Sequence, residues 1–226
     1  MEQTGEKTAF VVGGTGETGK ILLQMLLEKN AFKQVASIAR RELENKDNAY
    51  NNLEQVIVNF DKLETDHADA FKGYDVGFCC LGTTKGKSGT DGFIKVDHDY
   101  VMAVARLAKA GGCKHFVLMS SMGADAKSGM LYKKIKGQVE EECKQVGFEK
   151  LSIFRPGVLL VDREERRAGE GVFRFMLKPV AWMFPTLITT PIEMVAVAMI
   201  NNVQSPSNQS EELLCNKEIH NLATVK

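Results

Sequence analysis

The chain has 226 residues, of which 44% are hydrophobic and 26% charged, so its length and composition suit one globular domain with a sizeable core. Lysine plus arginine and aspartate plus glutamate each total 29, a balance that gives no bulk attraction to nucleic acid or to an anionic membrane. The five cysteines lack C-x-x-C spacing and suit reduced thiols, and the first residues lack the pattern of a secretory signal. Together these features predict a cytoplasmic or nuclear protein.

The first predicted element is the apolar strand Ala9–Val12, which meets a glycine cluster and is followed by apolar residues at helical spacing. The alternation continues, with further strands predicted over Val35–Ala39, Val56–Asn59, Val76–Leu81, His115–Met119 and Leu151–Phe154. Helices are predicted over Tyr100–Ala110 and Tyr132–Val146. This order predicts an α/β fold, a Rossmann-type doubly wound parallel sheet in a single domain spanning 1–226, with its core over about 8–160.

Beyond residue 160 the alternation weakens, and 161–226 is expected to form a small C-terminal substrate or partner region over the carboxyl edge of the sheet. Thr190-Pro191 is a good start signal for a helix that runs to Ile200. The apolar stretch Val172–Ile188 is too short and too interrupted to span a bilayer, so no transmembrane segment is predicted. Core, substrate lid and partner surface all stay open as its role.

The glycine cluster lies where a strand meets a helix. Gly14, Gly16 and Gly19 satisfy G-x-G-x-x-G, and Gly13 with the last two satisfies G-x-x-G-x-x-G, so the register is open. In either register the glycines let the backbone approach a pyrophosphate at the positive end of the helix dipole. A flexible turn without a ligand is the alternative, but the strand and helix around the loop favour a dinucleotide. The rest of the predicted cradle consists of Thr15, Glu17 and Thr18.

Arg40 and Arg41 follow the second predicted strand, at the position where NAD-specific proteins carry an acidic residue. Two guanidinium groups suit the 2′-phosphate of NADP(H), because arginine binds phosphate through a planar fork of donors. A solvated basic pair is the alternative. Asp61, just beyond the third strand, is predicted either to meet the adenine amino group or to be an ordinary turn residue.

A possible catalytic set follows the fifth predicted strand. Ser120 and Ser121 end that strand, while Tyr132 and Lys136 lie four residues apart on one face of the next helix. In isolation the Tyr-Lys pair would be a solvated surface, but beside a dinucleotide loop it predicts general acid–base chemistry. An ordinary phenol ionises far above neutral pH, so a nearby cation is needed to favour its phenolate.

Several other residues are expected to have structural roles. His98 and His115 have no second ligand at metal spacing, so no metal site is predicted. Cys79 and Cys80 are adjacent on a strand, where their side chains point to opposite faces and cannot easily bridge. Packing is therefore the expected role of these cysteines.

Nearly the whole chain resembles the atypical branch of the short-chain dehydrogenase/reductase superfamily and is most similar to its Tat-interacting oxidoreductase family. The matching strings are GGTGETG at 13–19, ARR at 39–41, DVGFCCLGTTKGKSG at 75–89, AKAGGCKHF at 108–116 and FRPGVLL at 154–160. The resemblance implies NADPH binding, with further cofactor contacts at Leu81, Gly82, Thr83 and Leu159. It also implies a contact from Arg167, for which the nearby Arg163 and Arg166 are alternatives.

The resemblance also implies the superfamily mechanism. Tyr132 would exchange a proton with the substrate oxygen, Lys136 would support it and bind the nicotinamide ribose, and a serine would orient the carbonyl. Ser121 is preferred because superfamily members usually use the second serine of such a pair, with Ser120 as the alternative. Asp97 stands where many members carry asparagine, so the proton relay that runs through the lysine is expected to be altered or absent.

Two functions therefore follow from the sequence. The first is an NADPH-dependent oxidoreductase that acts on a small carbonyl or alcohol substrate of unidentified structure. The second is an NADPH-sensing regulatory protein; the resemblance implies importin β type nuclear import receptors as its partners and a role in transcription or growth control. A sugar-nucleotide epimerase is disfavoured, because that branch generally needs a longer substrate domain than the tail after residue 160 offers.

Overall fold

The computed structural model of the chain describes residues 6–44, 50–160 and 189–224. Its strands are β1 (Thr8–Val12), β2 (Gln34–Ala39), β3 (Leu53–Ile57), β4 (Val76–Cys79), β5 (His115–Met119), β6 (Lys150–Arg155), β7 (Val158–Leu160), β8 (Thr189–Pro191) and β9 (Glu211–Cys215). Its α-helices are α1 (Glu17–Glu28), α2 (Leu63–Asp66), α3 (Lys85–Ile94), α4 (Tyr100–Ala110), α5 (Leu131–Gln145), α6 (Ile192–Gln204) and α7 (Asn216–Thr224). Short 3₁₀ turns cover Phe60–Lys62 and Ala68–Phe71, and one π-helical turn, Lys95–Asp99, joins α3 to α4.

Seven of the described strands form one parallel sheet in the order β3-β2-β1-β4-β5-β6-β9. The predicted Rossmann-type doubly wound fold is therefore confirmed. Residues 9–12 of β1 are buried on both faces, as expected for a central parallel strand that helices cover on either side. The strand order reverses between β1 and β4, and in such sheets ligands bind at the carboxyl end of that switch point.

Two apolar layers hold the helices to the sheet. On one face α4 and α5 pack onto Phe10 and Phe116, and the buried positions of α4 recur at the three- and four-residue spacing of a helix face. On the other face α1 and α6 pack around Leu22, Phe78 and Met199. Because helices cover both faces of the sheet, its open polar parts are the amino and carboxyl ends of its strands.

The C-terminal segment differs from the expectation that it lies over the carboxyl edge of the sheet. Of its described part, α6 packs on α1 and β9 extends the sheet beside β6, while β8 pairs with β7 in a separate two-stranded sheet. The strand β9 was not predicted, because it begins with Glu211 and Glu212 instead of an apolar run. An edge strand tolerates such charges, since one side of it has no neighbouring strand.

Candidate functional site

Two adjoining cavities open at the carboxyl end of the sheet, beside the switch point between β1 and β4. The Tyr132 cavity has a volume of about 600 Å³, and the Arg40 cavity has a volume of about 630 Å³. They form one continuous cleft, since the lining residues they share are Thr15, Gly16, Cys80, Leu81, Gly82, Thr83 and Lys87. An elongated ligand can therefore lie across the end of the sheet.

The glycine loop forms one wall of this cleft. Gly13 has φ +86°, and a Cβ there would lie only 2.5 Å from the carbonyl oxygen of Cys80. The backbone N–H of Gly16 donates to the carbonyl oxygen of Gly13 over 2.9 Å, and a Cβ on Gly19 would collide with that same oxygen. Gly13 thus allows the turn and Gly19 the close packing of helix on strand, which favours the G-x-x-G-x-x-G register.

The N-terminus of α1 faces the cleft without a side-chain cap. Gly16 is the N-cap residue, and as a glycine it has no side chain that could cap the first turn. Thr15 and Glu17 are exposed and Thr18 is buried, and all three line the Tyr132 cavity. A helix start left open in this way offers backbone N–H donors and a positive dipole end to an anionic ligand.

Arg40 and Arg41 are exposed and line the Arg40 cavity, together with the aromatic rings of Phe60 and Tyr100. Those two rings contact each other at a centroid distance of 5.3 Å. Neither arginine side chain takes part in a hydrogen bond or ion pair with another described residue. This end of the cleft therefore combines positive charge with a flat apolar wall.

Asp61 is not brought into the cleft. Its Oδ1 accepts a hydrogen bond of 2.5 Å from the Tyr100 hydroxyl and lies 2.6 Å from Lys95 Nζ. The bonds from Lys95 and Tyr100 lower the pKa of this carboxyl. Asp61 lines a neighbouring surface depression beyond Tyr100, so the structure gives no support to its predicted contact with adenine.

Lys136 and Asp97 form a buried ion pair below the Tyr132 cavity. Lys136 Nζ lies 2.8 Å from Asp97 Oδ1, without hydrogen-bond alignment at that oxygen, and the Asp97 side chain is 1% exposed. The other carboxylate oxygen of Asp97 accepts a 2.7 Å hydrogen bond from the backbone N–H of Thr83. The π-helical turn that carries Asp97 widens the helix locally, a feature that is frequent at functional sites. One carboxylate thus fixes both the lysine and the loop after β4.

Tyr132 lies one turn before Lys136 on α5 and borders the same cavity, with its side chain 44% exposed. Its ring stacks on the buried Phe93 of α3 at a centroid distance of 5.8 Å. The predicted Tyr-Lys pair is therefore built into the wall of the cleft. Phe93 was not predicted to contribute, because no local pattern shows that α3 and α5 meet.

The two serines after β5 differ in their partners. The buried Ser120 hydroxyl donates to Glu140, whose carboxylate also accepts three hydrogen bonds from Arg155. These bonds raise the pKa of Arg155, so its guanidinium stays charged. Ser121 is partly exposed and borders the cavity, and its hydroxyl makes no hydrogen bond to another described residue. The geometry therefore favours Ser121 over Ser120 as the serine that meets a ligand.

Of the remaining predicted cofactor contacts, four line the cleft and one lies outside the described residues. Leu159 lines the Tyr132 cavity, and Leu81, Gly82 and Thr83 border both cavities. Arg167 lies outside the described residues, as does the 172–188 stretch.

Lys87 is a lining residue that the sequence did not indicate. It belongs to the first turn of α3 and borders both cavities, and its side chain has no ion-pair partner among the described residues. The glycine-rich string KGKSG does not have the pattern of a helix, and α3 includes Gly89, whose φ of 71° is non-helical. Only the fold shows that this lysine stands at the middle of the cleft.

The thiols near the cleft are weak candidates for chemistry. Burial raises the pKa of Cys80, and it raises the pKa of Cys79 to about 11. Both thiols are therefore protonated at neutral pH, which removes the thiolate needed for nucleophilic or redox reactions. All five cysteines are unpaired.

The comparisons with known proteins agree with this geometry. A family model described as NAD(P)H-binding matches residues 13–169. The chain is 50% identical to Protein HTATIP2 of Rattus norvegicus, over 96% of this chain and 89% of that protein. It is 37% identical to Protein FMP52-1, mitochondrial, of Scheffersomyces stipitis, over 70% of this chain and 69% of that protein. The predicted nicotinamide cofactor is thus confirmed at the level of NAD(P)H.

Solved structures show the same fold at low identity. A putative NAD-dependent epimerase/dehydratase from Bacillus halodurans matches with a TM-score of 0.69 and 20% identity, over 91% of this chain and 92% of that one. A UDP-glucuronic acid 4-epimerase from Bacillus cereus in complex with NAD matches with a TM-score of 0.69 and 15% identity, over 92% of this chain and 76% of that one. At these identities the likeness concerns the fold alone.

The relatives correct one expectation, that of a cytoplasmic or nuclear location. Fungal relatives at 34–37% identity, from Scheffersomyces stipitis, Eremothecium gossypii and Emericella nidulans, are named mitochondrial proteins. They point to mitochondria, and the earlier expectation, which composition and cysteine spacing cannot support alone, is wrong. Within the described ranges, no helix has the length and apolar character needed to cross a membrane.

Proposed function

This chain belongs to the NAD(P)H-binding family and, within it, to the Tat-interacting oxidoreductases, and we propose that it transfers hydride between NADP(H) and a carbonyl or alcohol substrate. One observation carries the proposal. Tyr132, Lys136 and Ser121 border the same cavity as the uncapped start of α1, so a proton donor and a dinucleotide site meet in one cleft. A surface Tyr-Lys pair would not need the buried carboxylate that holds Lys136.

The residues of the cleft fit a dinucleotide. The loop Gly13–Gly19 and the open end of α1 suit the pyrophosphate, and Lys87 adds a cation at the middle of the cleft. Leu81–Thr83 and Leu159 border the path toward Tyr132, where the nicotinamide would lie. When bound there, NADPH would supply the hydride that reduces a carbonyl carbon and would leave as NADP⁺.

The protein's own groups supply the proton and the orientation. The Tyr132 hydroxyl donates its proton to the carbonyl oxygen as the carbon–oxygen double bond is reduced, which gives an alcohol. The Lys136 ammonium stabilises the phenolate that remains, and Asp97 keeps that ammonium in place. Ser121 donates a hydrogen bond to the same substrate oxygen and fixes its direction.

The preference for NADP(H) over NAD(H) is part of the proposal. Arg40 and Arg41 stand at the end of β2, where they border the cavity with Phe60 and Tyr100. Their unmatched guanidinium groups suit a 2′-phosphate, and the rings offer a surface for the adenine. No carboxylate lines this cavity to bind the ribose hydroxyls of NAD(H) among the described residues.

Replacing Tyr132 with phenylalanine tests the function. The Tyr132→Phe variant keeps the ring that stacks on Phe93 and loses only the hydroxyl, so NADPH binding is expected to stay within about twofold. The rate of NADPH oxidation with a carbonyl substrate is expected to fall by about 10²- to 10⁴-fold, the usual contribution of a positioned general acid. Binding is followed by NADPH fluorescence and turnover by absorbance.

Two results would overturn the proposal. Full activity in Tyr132→Phe would remove the proton donor. NADPH binding by the unaltered protein, without oxidation by any of a broad panel of aldehydes and ketones, would favour the nucleotide-sensing function over the oxidoreductase. Tyr74→Phe is the matched control, because that hydroxyl bonds to Glu54 and lies outside the cleft.

A further inference from the structure

Three exposed apolar side chains, those of Met122, Tyr132 and Val158, line the Tyr132 cavity. Five of the seven large hydrophobic side chains most exposed among the described residues lie on two segments, 122–132 and 158–160. Their exposed fractions are 44% for Met122, 61% for Met130, 44% for Tyr132, 42% for Val158 and 37% for Leu160. Such a cluster costs hydration free energy unless something apolar covers it, and clusters of this kind mark binding sites.

Both segments lead directly into the site. Met122 and Val158 themselves line the cavity with Tyr132, and the Met122 N–H donates to the carbonyl oxygen of Pro156, another lining residue. Val158 and Leu160 alternate on β7 and therefore share one face, which continues the apolar surface outward from the cavity. The apolar surface is thus continuous with the place where the proposed reaction occurs.

The polar groups at this mouth match one uncharged oxygen. Ser121 and Tyr132 present hydroxyls, while Lys136, one of the two cations among the described lining residues, is already paired with Asp97. Lys87 is the other cation of this cavity, and it stands toward the shared middle of the cleft. Among the described lining residues, nothing is therefore left to pair with a second phosphate or carboxylate near Tyr132.

We infer that the substrate is an uncharged carbonyl compound with a hydrocarbon chain or ring, whose single oxygen meets Tyr132 and Ser121 and whose apolar part covers Met122 and Val158. This inference rests on the proposed oxidoreductase function. Methionine and β7 side chains accept apolar groups of varied shape, so chain length matters more than branching. A sugar-nucleotide substrate is disfavoured, because the described lining residues near Tyr132 offer no free cation to its diphosphate.

The first test is a series of straight-chain aldehydes from three to nine carbons, reduced with NADPH. The value of kcat/KM is expected to rise by up to about fourfold for each methylene, the limit for complete burial, until the chain outgrows the mouth. The anionic 4-oxobutanoate is expected to be at least tenfold poorer than the uncharged aldehyde of equal length. A flat series, or a preference for the anion, would overturn the inference.

Two nearly isosteric variants locate the effect. Met122→Gln and Val158→Thr place polar atoms at the mouth with little change in volume. In each variant, kcat/KM is expected to rise much less, or not at all, with each added methylene. Leu213→Gln on β9 is the control, because Leu213 is 47% exposed but lies away from the cavity. If the two mouth variants lower the thermal unfolding midpoint and leave the aldehyde series unchanged, the protein itself covers this surface and the inference fails.

A binding measurement separates this inference from the oxidoreductase proposal. Straight-chain primary amides, which do not accept hydride, are titrated into the NADPH-loaded protein while cofactor fluorescence is followed. Affinity that rises with amide length supports the apolar site even where no aldehyde is turned over. If aldehydes are reduced but neither the aldehyde series nor the amide series depends on chain length, the oxidoreductase proposal is supported and the inference of an apolar substrate is overturned.

Discussion

The two ends of the parallel sheet each carry a cavity and a cluster of charged groups, yet only one end is equipped for a ligand. At the amino end, a cavity of about 680 Å³ borders His115 and Lys150. Lys150 Nζ donates to the carbonyl oxygens of Ser207 and Gln209 and lies 3.2 Å from Glu212 Oε2. Lys150 therefore has its partners within the protein.

At the carboxyl end the balance is different. The Lys136 ammonium is paired, but the side chains of Arg40, Arg41 and Lys87 face the cleft without a partner among the described residues, and the Ser121 hydroxyl is available. Cavity size would select the amino end, since its cavity is slightly larger than either half of the cleft. The switch point of the sheet, the glycine loop and the available Ser121 hydroxyl identify the carboxyl end. Variants at the two ends can therefore be compared directly.

The largest expected difference comes from the ion-paired carboxylates at the two ends, Asp97 and Glu212. Asp97→Asn keeps an acceptor for the Thr83 N–H but leaves Lys136 buried without a counter-charge, which is expected to lower the free energy of unfolding by about 3 kcal/mol. It is also expected to weaken NADPH binding, because Thr83 and Lys136 both border the cofactor path. Chemical denaturation and cofactor titration measure the two effects.

Two controls define what that variant shows. Glu212→Gln at the amino end is expected to lower stability, because Lys150 loses its counter-charge and keeps only its carbonyl acceptors. NADPH affinity should not change, because Glu212 lies outside the cleft. Glu64→Gln removes an exposed partner of Arg106 and is expected to cost less than about 1 kcal/mol. Equal effects of Asp97→Asn and Glu212→Gln on NADPH affinity would erase the distinction between the two ends.

The next effect concerns the cations that face the cleft. Replacing both Arg40 and Arg41 with alanine is expected to raise the Kd for NADPH by about 100-fold and to leave the Kd for NADH nearly unchanged, because only NADPH carries the 2′-phosphate. Lys87→Ala is expected to weaken both cofactors alike by about tenfold, as a contact to the shared pyrophosphate would. Calorimetric titration with each nucleotide checks the pattern.

Arg106→Ala provides the matched control for this pair of experiments. It removes an exposed cation that is bonded to Glu64 and lies outside both cavities, so neither Kd should change. A double arginine variant that loses NADPH and NADH equally would contradict the assignment of these residues to the 2′-phosphate.

The sequence predicted those parts of the site whose signal is local. The glycine loop, the arginines after β2 and the Tyr132–Lys136 spacing each lie within a few residues of a recognisable strand or helix, and the cleft brings them together. Phe93 and Lys87 were missed because their roles depend on where α3 meets other elements.

Asp61 and Asp97 both show the limit of prediction from local sequence. For Asp61 the sequence suggested a contact that the structure does not support, and for Asp97 it did not indicate a contact that the structure contains. Asp61 follows β3 closely, so chain position suggested a cofactor contact, but Tyr100 and Lys95 from a distant helix hold its carboxylate elsewhere. Asp97 was noted only as a departure from asparagine, and its bond to the Thr83 N–H depends on a π-helical turn that no sequence pattern indicated. Local sequence patterns do not show the interaction partners that tertiary packing supplies.

The smaller of the two main expected effects on stability is a pH dependence that arises at the amino end. Burial, with a contribution from Lys150, lowers the pKa of His115 from 6.5 to about 4, and its ring bonds to the Ser152 hydroxyl over 2.9 Å. The folded state therefore favours neutral His115, so its contribution to stability is complete above pH 6.5 and is lost as the pH falls toward 4. Between pH 7 and pH 5 this loss amounts to about 2 kcal/mol, which His115→Gln should remove from the unfolding curve.

His98 offers a control of opposite sign. Burial tends to lower its pKa, but bonds to Glu142 and Asp99 outweigh that effect and raise it, so its contribution is present at low pH and is lost as the pH rises. His98→Gln should therefore make the loss of stability toward pH 5 steeper, whereas His115→Gln makes it shallower. Because neither histidine lines the cleft, NADPH affinity at pH 7 should not change in either variant. A shift in affinity with His115→Gln would show that the two ends of the sheet are coupled, contrary to the separation that their partners indicate.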